Sequence, residues 1–410
     1  MRLTRPRFAW AVACLVAACA LVSCTPRKSA ERPPVEFWVS WPVEAVAPIV
    51  QRFEAENPGV RVRLHAVPWD AADDSLSLAL RTGRLPDLCQ LTGARMPDWL
   101  AGSSLSDWSA GVADLRTTLR GWDLCMVGDA IYGLPWTLRA PVLVYERRLF
   151  ARAGLDSSRA PATWDELRTA AAKLHRLPGV QGFGVATGSA RELTREWLPW
   201  LWSDDGDLFT AGLDTSRLAE PAAAEALELL LALKRSGLGA PRDSLERAFL
   251  AGQLGMLIAD ASLADAAARA GLRASVALIP PPTRERGSSA SWADGEVLVS
   301  FTDSRHKEQA LKLARFLVQP ANAQALAAAV RQAWPSRVDA ESTAWYSQNP
   351  AALVTLRQIA TSRYAPRRRD WPVLESRLGD AIWETLSGSA SVAGALASAD
   401  SFVVSQLGSR

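Results

Sequence analysis

The sequence predicts an α/β protein, in which buried strands alternate with amphipathic helices over most of the 410 residues. Two observations lead to this prediction: a strand-helix-strand unit opens the folded part of the chain, and the same alternation recurs downstream without an internal repeat. Units of this kind build parallel sheets that bind ligands at the carboxyl ends of their strands. We therefore expect ligand contacts in the loops that follow the strands.

The opening unit follows from its apolar pattern. Val35–Val39 is a short apolar run that predicts a buried strand, and the segment 42–56 places Val46, Ile49 and Phe53 on one face of a helix. Asn-Pro-Gly at 57–59 ends that helix, and apolar residues then alternate with polar ones over 60–66. The pattern is that of a βαβ unit.

Later elements follow from similar signals. Thr163 and Glu166 have the spacing of a capping box, in which the two side chains satisfy free amides at a helix start. Gly237 ends a helix predicted from about 222 to 235. Further strands are predicted at 88–91, 142–145, 256–258, 276–279 and 297–301, and further helices near 307–318 and 321–331.

The first residues have the features of an export signal. Arg2, Arg5 and Arg7 precede an apolar run at 8–22, which is too short to span a membrane. The run ends in Leu-Val-Ser-Cys at 21–24, which resembles a bacterial lipobox, so that cleavage would leave Cys24 as an acylated N-terminus. Ordinary signal cleavage after Ala-Cys-Ala at 18–20 is the alternative. In both cases we expect an extracytoplasmic protein.

Charge and length narrow the class further. Removal of the 23-residue signal from the 410-residue chain leaves 387 residues, enough for two domains with their own cores. The polar segment 24–34 suits a flexible tether to the membrane. The chain carries a formal charge of +3, and the three arginines of the signal account for it. Nucleic acid is therefore not an expected partner, and the membrane is expected to be contacted through the lipid alone.

Two cysteines remain for the folded protein once Cys14 and Cys19 leave with the signal and Cys24 is acylated. Cys89 and Cys125 are a possible disulfide in an oxidising compartment. The alternative is two buried free thiols, because each cysteine adjoins apolar residues.

Catalytic signals are weak. His65, His175 and His306 lie far apart in the sequence, and zinc motifs, phosphate loops and nucleophile elbows are missing, so neither a metal nor a cofactor is expected. A glycosidase needs a pair of carboxylates, which the sequence alone does not establish. The carboxylates considered for such a pair are Asp204, Asp205, Asp207 and Glu296. We expect a binding protein and not an enzyme.

Tryptophan is abundant, with 17 residues in the chain. Indole faces at loop tips suit the flat C–H faces of sugar rings, and polar neighbours suit the hydroxyl groups. The alternative is that the rings pack in the core, which is the expectation for Trp38, Trp164 and Trp383. The tryptophans beside turn residues are Trp41, Trp136, Trp202, Trp292, Trp334 and Trp371.

Eight motifs occur in order along nearly the whole mature chain. The most specific is Tyr-Gly-Leu-Pro-Trp at 132–136 followed by Val-Leu-Val-Tyr-Glu-Arg-Arg-Leu-Phe-Ala-Arg-Ala-Gly-Leu at 142–155. The others lie at 35–41, 53–60, 85–88, 163–167, 201–209, 248–256 and 307–320. Together these motifs resemble the extracellular solute-binding proteins of sugar ABC importers, the maltose-binding-protein-like family.

The resemblance implies a two-lobed, periplasmic-binding-protein-like fold of class II, in which three crossovers join the lobes. Lobe one would comprise 35–139 and 283–332, and lobe two would comprise 140–282 and 333–410. The crossovers would lie near 137–141, 277–283 and 330–337. Ligand would bind between the lobes, and its higher affinity for the closed form would drive hinge closure.

The resemblance also implies ligand contacts, position by position. The family often has Gly-Pro-Trp where Asp260 is here followed by Ala-Ser-Leu, so a usual stacking residue is missing. The turn at 204–206 is Asp-Asp-Gly, where the family has Asn-Gly-Gly. The implied ligand-binding residues are Ser40, Trp41, Gln90, Thr92, Arg95, Trp136, Thr137, Trp197, Trp200, Asp260, Trp292, Asp294, Glu296, Trp334, Arg337 and Trp371.

Three functions follow as hypotheses. The first is a monomeric, lipid-anchored protein that captures a carbohydrate and delivers it to the permease subunits of an ABC transporter. The second is a solute-sensing lipoprotein that serves a signalling receptor, and the third is an extracytoplasmic glycosidase. The charge of the solute stays open, because Arg95, Arg337 and the arginines at 367–369 suit an anion. The run at 367–369 is otherwise interpreted as a solvated or cleft-edge patch.

Overall fold

The computed structural model describes residues 33–407 apart from 103, 331 and 369. The predicted signal at 1–23 and the lipidation of Cys24 lie outside the described residues, as does most of the predicted tether. Within the described part of the chain, every helix is too short or too polar to span a membrane.

The strands of the described residues form two large sheets and one small hairpin. The strands are β1 (Val35–Val39), β2 (Val62–Ala66), β3 (Leu88–Thr92), β4 (Met126–Val127), β5 (Ala130–Ile131), β6 (Leu134–Arg139), β7 (Val142–Glu146), β8 (Gln181–Ala186), β9 (Gly237–Ala240), β10 (Leu254–Ala259), β11 (Ala274–Ala277), β12 (Asp294–Val299) and β13 (Trp334–Pro335). The first sheet has the order β13-β6-β12-β3-β1-β2, the second has the order β11-β7-β10-β8-β9, and β4 pairs with β5.

Helices flank both sheets, and short 3-10 turns complete several loops. The α-helices of the described part are α1 (Val43–Glu56), α2 (Ala72–Thr82), α3 (Met96–Ala101), α4 (Arg147–Arg152), α5 (Trp164–His175), α6 (Ala190–Ser203), α7 (Pro221–Arg235), α8 (Arg242–Leu250), α9 (Ser262–Arg269), α10 (Lys307–Leu317), α11 (Pro320–Ala329), α12 (Ala344–Ser347), α13 (Pro350–Thr361), α14 (Trp371–Ser387) and α15 (Val392–Leu407).

The predicted βαβ opening is confirmed. Strand β1 pairs in parallel with both β2 and β3, and α1 buries Val46, Ile49 and Phe53 as its apolar pattern requires. The returning strand β12 then pairs antiparallel to β3 and β6. The first sheet is therefore parallel at one side and antiparallel at the other.

The second sheet has the same mixed character. Strand β8 pairs in parallel with β9 and β10, whereas β7 lies antiparallel between β10 and β11. Helix α5 begins at Thr163, whose hydroxyl accepts a hydrogen bond from the Glu166 amide at 3.2 Å. The Glu166 carboxylate accepts in turn from the Ala162 amide at 2.9 Å, one residue before the position that a capping box predicts.

The chain passes between the two sheets at three places. It leaves the first sheet after β6, returns between β11 and β12, and leaves again after β13, which pairs with β6 through Trp334 and Pro335. Helix α13 packs against β6, β7 and β11, so it lies across the junction of the two sheets. The residue bounds of the lobes stay a prediction, because sheet membership alone does not define them.

Cys89 and Cys125 are free, buried thiols, so of the two alternatives left open by the sequence the disulfide is wrong and the pair of buried thiols is found. Each Sγ donates to a neighbouring main-chain carbonyl, that of Gln90 at 3.4 Å for Cys89 and that of Trp122 at 3.6 Å for Cys125. Burial raises the pKa of both thiols above the ordinary cysteine value. Both therefore behave as small apolar core residues.

Candidate ligand-binding cleft

A cleft of about 1090 Å³ lies between segments that belong to the two sheets. One wall consists of the turn and helix that follow β3, the β4–β5 hairpin and the start of β12. The other wall consists of α6, the loop at 211–213, the segment 364–368 and the start of α14. The turn after β3 stands at a carboxyl end in a parallel region of the sheet, where α/β proteins bind ligands.

Three tryptophans stack in a column at the second wall. The ring centroids of Trp202 and Trp292 lie 5.8 Å apart at an interplanar angle of 18°, and those of Trp292 and Trp371 lie 6.0 Å apart at 24°. Trp292 and Trp371 line the cleft, and each is less than one tenth exposed. Because Trp292 precedes β12, Trp202 lies in α6 and Trp371 begins α14, the column holds the segment before β12 against these two helices.

Arg195 adds a cation to this column. Its guanidinium carbon lies 4.7 Å from the centroid of the Trp292 ring, within the range of a cation–π contact. Its Nε donates to Oε1 of Glu375 at 2.7 Å, and Nε of Arg191 lies 3.2 Å from Oε2 of the same carboxylate. Because Arg191 and Arg195 are four residues apart on α6, both reach the same face of α14.

Helices α6 and α14 approach each other closely at this point. A Cβ at Gly379 would stand 1.9 Å from the carbonyl oxygen of Ala190, so only glycine permits the observed packing. The Thr194 hydroxyl donates to the carbonyl of Glu375 at 2.7 Å. These contacts set the position of the Glu375 carboxylate relative to the two arginines.

The other arginines of the cleft are also ion-paired. Arg95 lies 3.0 Å from Asp98 on the first wall, and Arg368 lies 2.5 Å from Asp370 on the second. Arg367 joins the walls, because its guanidinium donates to Asp123 at 2.6 Å and to the carbonyl of Met126 at 3.2 Å. The segment that carries Arg367 is itself fixed to the second wall.

A buried carboxyl lies next to the cleft in the first sheet. Glu296 is 1% exposed, and its carboxyl accepts a hydrogen bond from the side-chain Nε2 of Gln90 at 3.3 Å. Burial raises the pKa of Glu296 to about 8; Arg139 opposes this effect and Asp294 adds to it. Asp294, which lines the cleft, lies 3.4 Å from Arg139.

The structure brings four of the implied ligand-binding residues to the cleft: Arg95, Trp292, Asp294 and Trp371. It places Ser40, Gln90, Thr92, Thr137, Asp260, Glu296 and Arg337 outside its lining. The side-chain Oε1 of Gln90 accepts from the Ser40 and Trp41 main-chain amides, and Thr92 and Thr137 are the register partners of Glu296 in the sheet. The Asp260 carboxylate accepts from the Ser262 amide, and Arg337 forms an ion pair with Asp339.

Five implied tryptophans are core residues, which corrects their assignment to the cleft. Trp41, Trp136, Trp197, Trp200 and Trp334 are at most 6% exposed and none of them lines the cleft. The physical reason is that proximity to a turn residue does not expose a ring. Trp136, for example, follows Pro135 but lies inside β6 with both neighbours buried.

The sequence interpretation missed several cleft residues. Tyr132, Arg191, Arg195, Tyr364 and Glu375 all line the cleft. Burial, with the nearby charges of Asp123 and Asp294, raises the pKa of Tyr364, so its phenol stays protonated and keeps its O–H donor. The spacing of Arg191 and Arg195, four residues apart in a helix, indicates that the two side chains share a helix face. Nothing in the sequence links either arginine to Glu375.

The carboxylates considered for a glycosidase do not converge on the cleft. Asp204 lies 3.1 Å from Arg286 and Asp207 lies 2.9 Å from Arg363, both outside the lining. Glu296 is buried within β12. Within the described residues, no group of three or more His, Cys, Asp or Glu side chains has a geometry that would hold a metal ion.

Comparisons with known proteins agree with this architecture. The sequence model of the family described as bacterial extracellular solute-binding protein matches residues 48–354. A Brucella abortus (strain 2308) protein named as a binding protein is 30% identical over 292 residues, which cover 66% of this chain and 67% of that protein. The sn-glycerol-3-phosphate-binding periplasmic protein UgpB of Escherichia coli (strain K12) is 27% identical over 184 residues, 41% of this chain and 39% of that protein.

Solved structures show the fold. The cyclic alpha-maltosyl-1,6-maltose binding protein of Arthrobacter globiformis superposes with a TM-score of 0.83 at 24% identity, over 92% of this chain and 99% of that chain. The sugar-binding protein MalE of Xanthomonas citri superposes with a TM-score of 0.80 at 22% identity, over 92% and 98%. These likenesses confirm the predicted two-lobed α/β fold, but at such low identity they do not identify a ligand.

Proposed function

Because the chain belongs to the bacterial extracellular solute-binding protein family, we propose that it captures a sugar or sugar-like solute in the cleft between its lobes and delivers it to an ABC permease. The cleft itself carries this proposal. Its volume of about 1090 Å³ suits an oligosaccharide-sized ligand, and the lining combines aromatic rings with arginine and carboxylate groups.

The names of the similar proteins favour a carbohydrate or a polyol derivative. They include binders of maltosyl-maltose, of sugars and of sn-glycerol 3-phosphate, which is the phosphate ester of a polyol. Arg195 and Glu375 offer hydrogen-bonding groups for hydroxyls, and Tyr364 offers a phenol in the lining of the same cleft. This chemistry needs no catalytic group, so the protein acts as a binder and not as an enzyme.

We further propose that the mature protein is a monomer attached to the membrane through an acylated Cys24. The lipobox-like sequence at 21–24 supports the anchor, and the near-zero charge of the mature chain fits a protein that approaches the membrane only through its lipid. Labelling with a radioactive fatty acid tests the anchor, because Cys24→Ala removes the label if the assignment is right.

A ligand screen tests the central proposal. The fragment 25–410 would be titrated with a panel of mono- and oligosaccharides and polyols, and its thermal unfolding and tryptophan fluorescence would be followed. A ligand at 100 times its dissociation constant stabilises the native state by about 2.7 kcal/mol, which gives a clear thermal shift. Hydrolysis of a panel member would contradict the assignment as a binder, and a complete lack of binding would contradict the ligand class.

A further inference from the structure

We propose that Glu375 makes the cleft selective for uncharged ligands, because it neutralises the arginines that would otherwise bind an anion. The inference rests on the proposed function, since it concerns the same cleft. It goes beyond that function by naming the residue that decides between neutral sugars or polyols and their phosphate or carboxylate derivatives.

The Glu375 carboxylate is shared between two arginines. It is 3% exposed, with Oε1 2.7 Å from Nε of Arg195 and Oε2 3.2 Å from Nε of Arg191. Each arginine contacts Glu375 through its Nε, and each guanidinium carries four further N–H groups on its two Nη atoms. The arginines therefore keep donors for ligand hydroxyls while their positive charge is offset.

Arg195 is fixed in this arrangement. Its guanidinium carbon lies 4.7 Å from the centroid of Trp292, and that ring stacks on both Trp202 and Trp371. To follow an anion away from Glu375, Arg195 would have to give up both the ion pair and the cation–π contact. The carboxylate and the guanidinium therefore act on a ligand as one unit.

The other described arginines that line the cleft are also paired with carboxylates, although more exposed ones in the case of Arg95 and Arg367. Arg95 pairs with Asp98, Arg367 with Asp123 and Arg368 with Asp370, at 3.0, 2.6 and 2.5 Å. Glu375 carries one negative charge and faces two arginines, so one positive charge is left over. We assign it to Arg191, whose side chain is 61% exposed and therefore screened by water. The wall thus offers directional donors with little net attraction for an anion.

An anionic ligand would therefore meet a like charge. A phosphate or carboxylate that accepts from Arg195 lies within a few ångströms of the buried Glu375 carboxylate, where solvent screens poorly. A hydroxyl accepts the same hydrogen bond without that repulsion. The geometry assigns the cleft to neutral polyhydroxylated compounds in preference to sugar phosphates, glycerophosphates and uronates.

Matched ligand pairs test the inference by competition in tryptophan fluorescence. Glucose would be compared with glucose 6-phosphate and glucuronate, glycerol with glycerol 3-phosphate, and maltotriose and inorganic phosphate would be added. The variants are the wild type, Glu375→Gln, the double variant Glu375→Gln/Arg195→Gln, and Asp380→Asn as a control at an exposed carboxylate of the same helix.

We expect each anion to bind the wild type at least about tenfold more weakly than its neutral partner. Glu375→Gln should gain affinity for inorganic phosphate and for the anionic partners by about tenfold, and the added Arg195→Gln should remove that gain. Asp380→Asn should match the wild type. The selectivity ratio is independent of stability, so a merely structural role for Glu375 would not produce this pattern.

Two results would overturn the inference. One is a wild type that prefers an anion to its neutral partner, and the other is a Glu375→Gln variant with unchanged selectivity and no phosphate binding. Either result leaves the proposed function intact, because ligand is still bound. If no probe binds the wild type while Glu375→Gln binds inorganic phosphate, the charge inference stands and the proposed ligand class fails.

Discussion

The hydroxyl of Ser291 donates a hydrogen bond of 2.7 Å to the carbonyl of Pro141. The carbonyl of Ser291 accepts from the amide of Arg363 at 3.0 Å, and the Arg363 carbonyl accepts from the amide of Ala293 at 2.8 Å. Pro141 lies between β6 and β7, Ser291 between β11 and β12, and Arg363 after α13. One buried serine therefore ties together the first two connections between the sheets and the segment that follows α13.

Replacing Ser291 by alanine should weaken this junction. Ser291 is fully buried, and the partly buried Pro141 carbonyl would lose its hydrogen-bond partner, which should lower the free energy of unfolding by about 1 kcal/mol. Urea unfolding would measure the change, with Ser401→Ala on the exposed face of α15 as the control. Equal stabilities of the two variants would show that the hydrogen bond does not hold the connections together.

The ion pair between Asp123 and Arg367 spans the two walls of the cleft, so it should favour the closed form. Both side chains are about half exposed, and such pairs contribute about 0.2–1 kcal/mol. Asp123→Asn or Arg367→Gln should weaken ligand binding by up to about fivefold, and the effect should vanish at high salt. Arg217→Gln, which breaks the exposed Arg217–Glu220 pair away from the cleft, should leave affinity unchanged.

A double-mutant cycle would isolate the contribution of this pair. The double variant Asp123→Asn/Arg367→Gln should bind no more weakly than either single variant, because the same interaction is removed only once. Additive losses would mean that the two residues contact the ligand separately. Small-angle scattering of the ligand-free protein should report a larger radius of gyration for the variants.

The fold was largely predictable because its signals are local. The apolar run of β1 and the helical spacing of apolar residues in α1 each reflect which side chains are buried. Such a pattern can be recognised within a single segment of the sequence. Strands β8 and β9 are among those that were not predicted. These two strands contain four glycines, which lack the apolar side chains that a strand pattern requires. Glycine is needed at 182 and 237, because a Cβ at either position would lie within 2.0 Å of neighbouring backbone.

The site was less predictable because burial of a ring depends on tertiary contacts. Trp136 and Trp371 both adjoin a proline, but Trp136 lies inside a strand of the first sheet and Trp371 begins a helix at the cleft. Trp383 shows the opposite error, since it was expected in the core and is 49% exposed. Glu375 lies 180 residues from Arg195, a separation over which no local pattern operates.

Stability should depend on pH through Glu296. Its folded pKa of about 8 lies above the ordinary value of 4.5, so between those values the native state holds a proton that the unfolded chain has released. Stability is therefore unaffected below pH 4.5 and falls as the pH rises towards 8. Glu296→Gln should stabilise the protein at pH 9 relative to the wild type and change little at pH 4.5.

Urea unfolding at the two pH values would measure this difference. Glu166→Gln is a control of opposite sign, because the hydrogen bond from the Ala162 amide lowers the pKa of Glu166. That variant should lose stability relative to the wild type at high pH. If Glu296→Gln were less stable than the wild type by the same free energy at both pH values, Glu296 would be ionised in the native state.

The close approach of α6 and α14 should make Gly379 sensitive to substitution. The Cβ of Gly379→Ala would clash with the Ala190 main chain, which must move and carry Arg191 and Arg195 away from Glu375. We expect a loss of about 1–3 kcal/mol in unfolding free energy and a weaker affinity for ligand. Gly394→Ala, where the nearest atom is the Ser391 hydroxyl at 3.2 Å, should retain both properties.

Trp136 and Trp371 should separate stability from binding. Trp136 is 1% exposed against Phe37 in the first sheet, so Trp136→Ala should cost about 3–5 kcal/mol of stability. Because Trp136 does not line the cleft, the molecules that stay folded should bind ligand with unchanged affinity.

Trp371 forms part of the cleft wall and supports Trp292, so Trp371→Ala should reduce affinity at least about tenfold. Titration calorimetry at a temperature where both variants are folded would compare the affinities, and a larger loss for Trp136→Ala would place the binding site elsewhere.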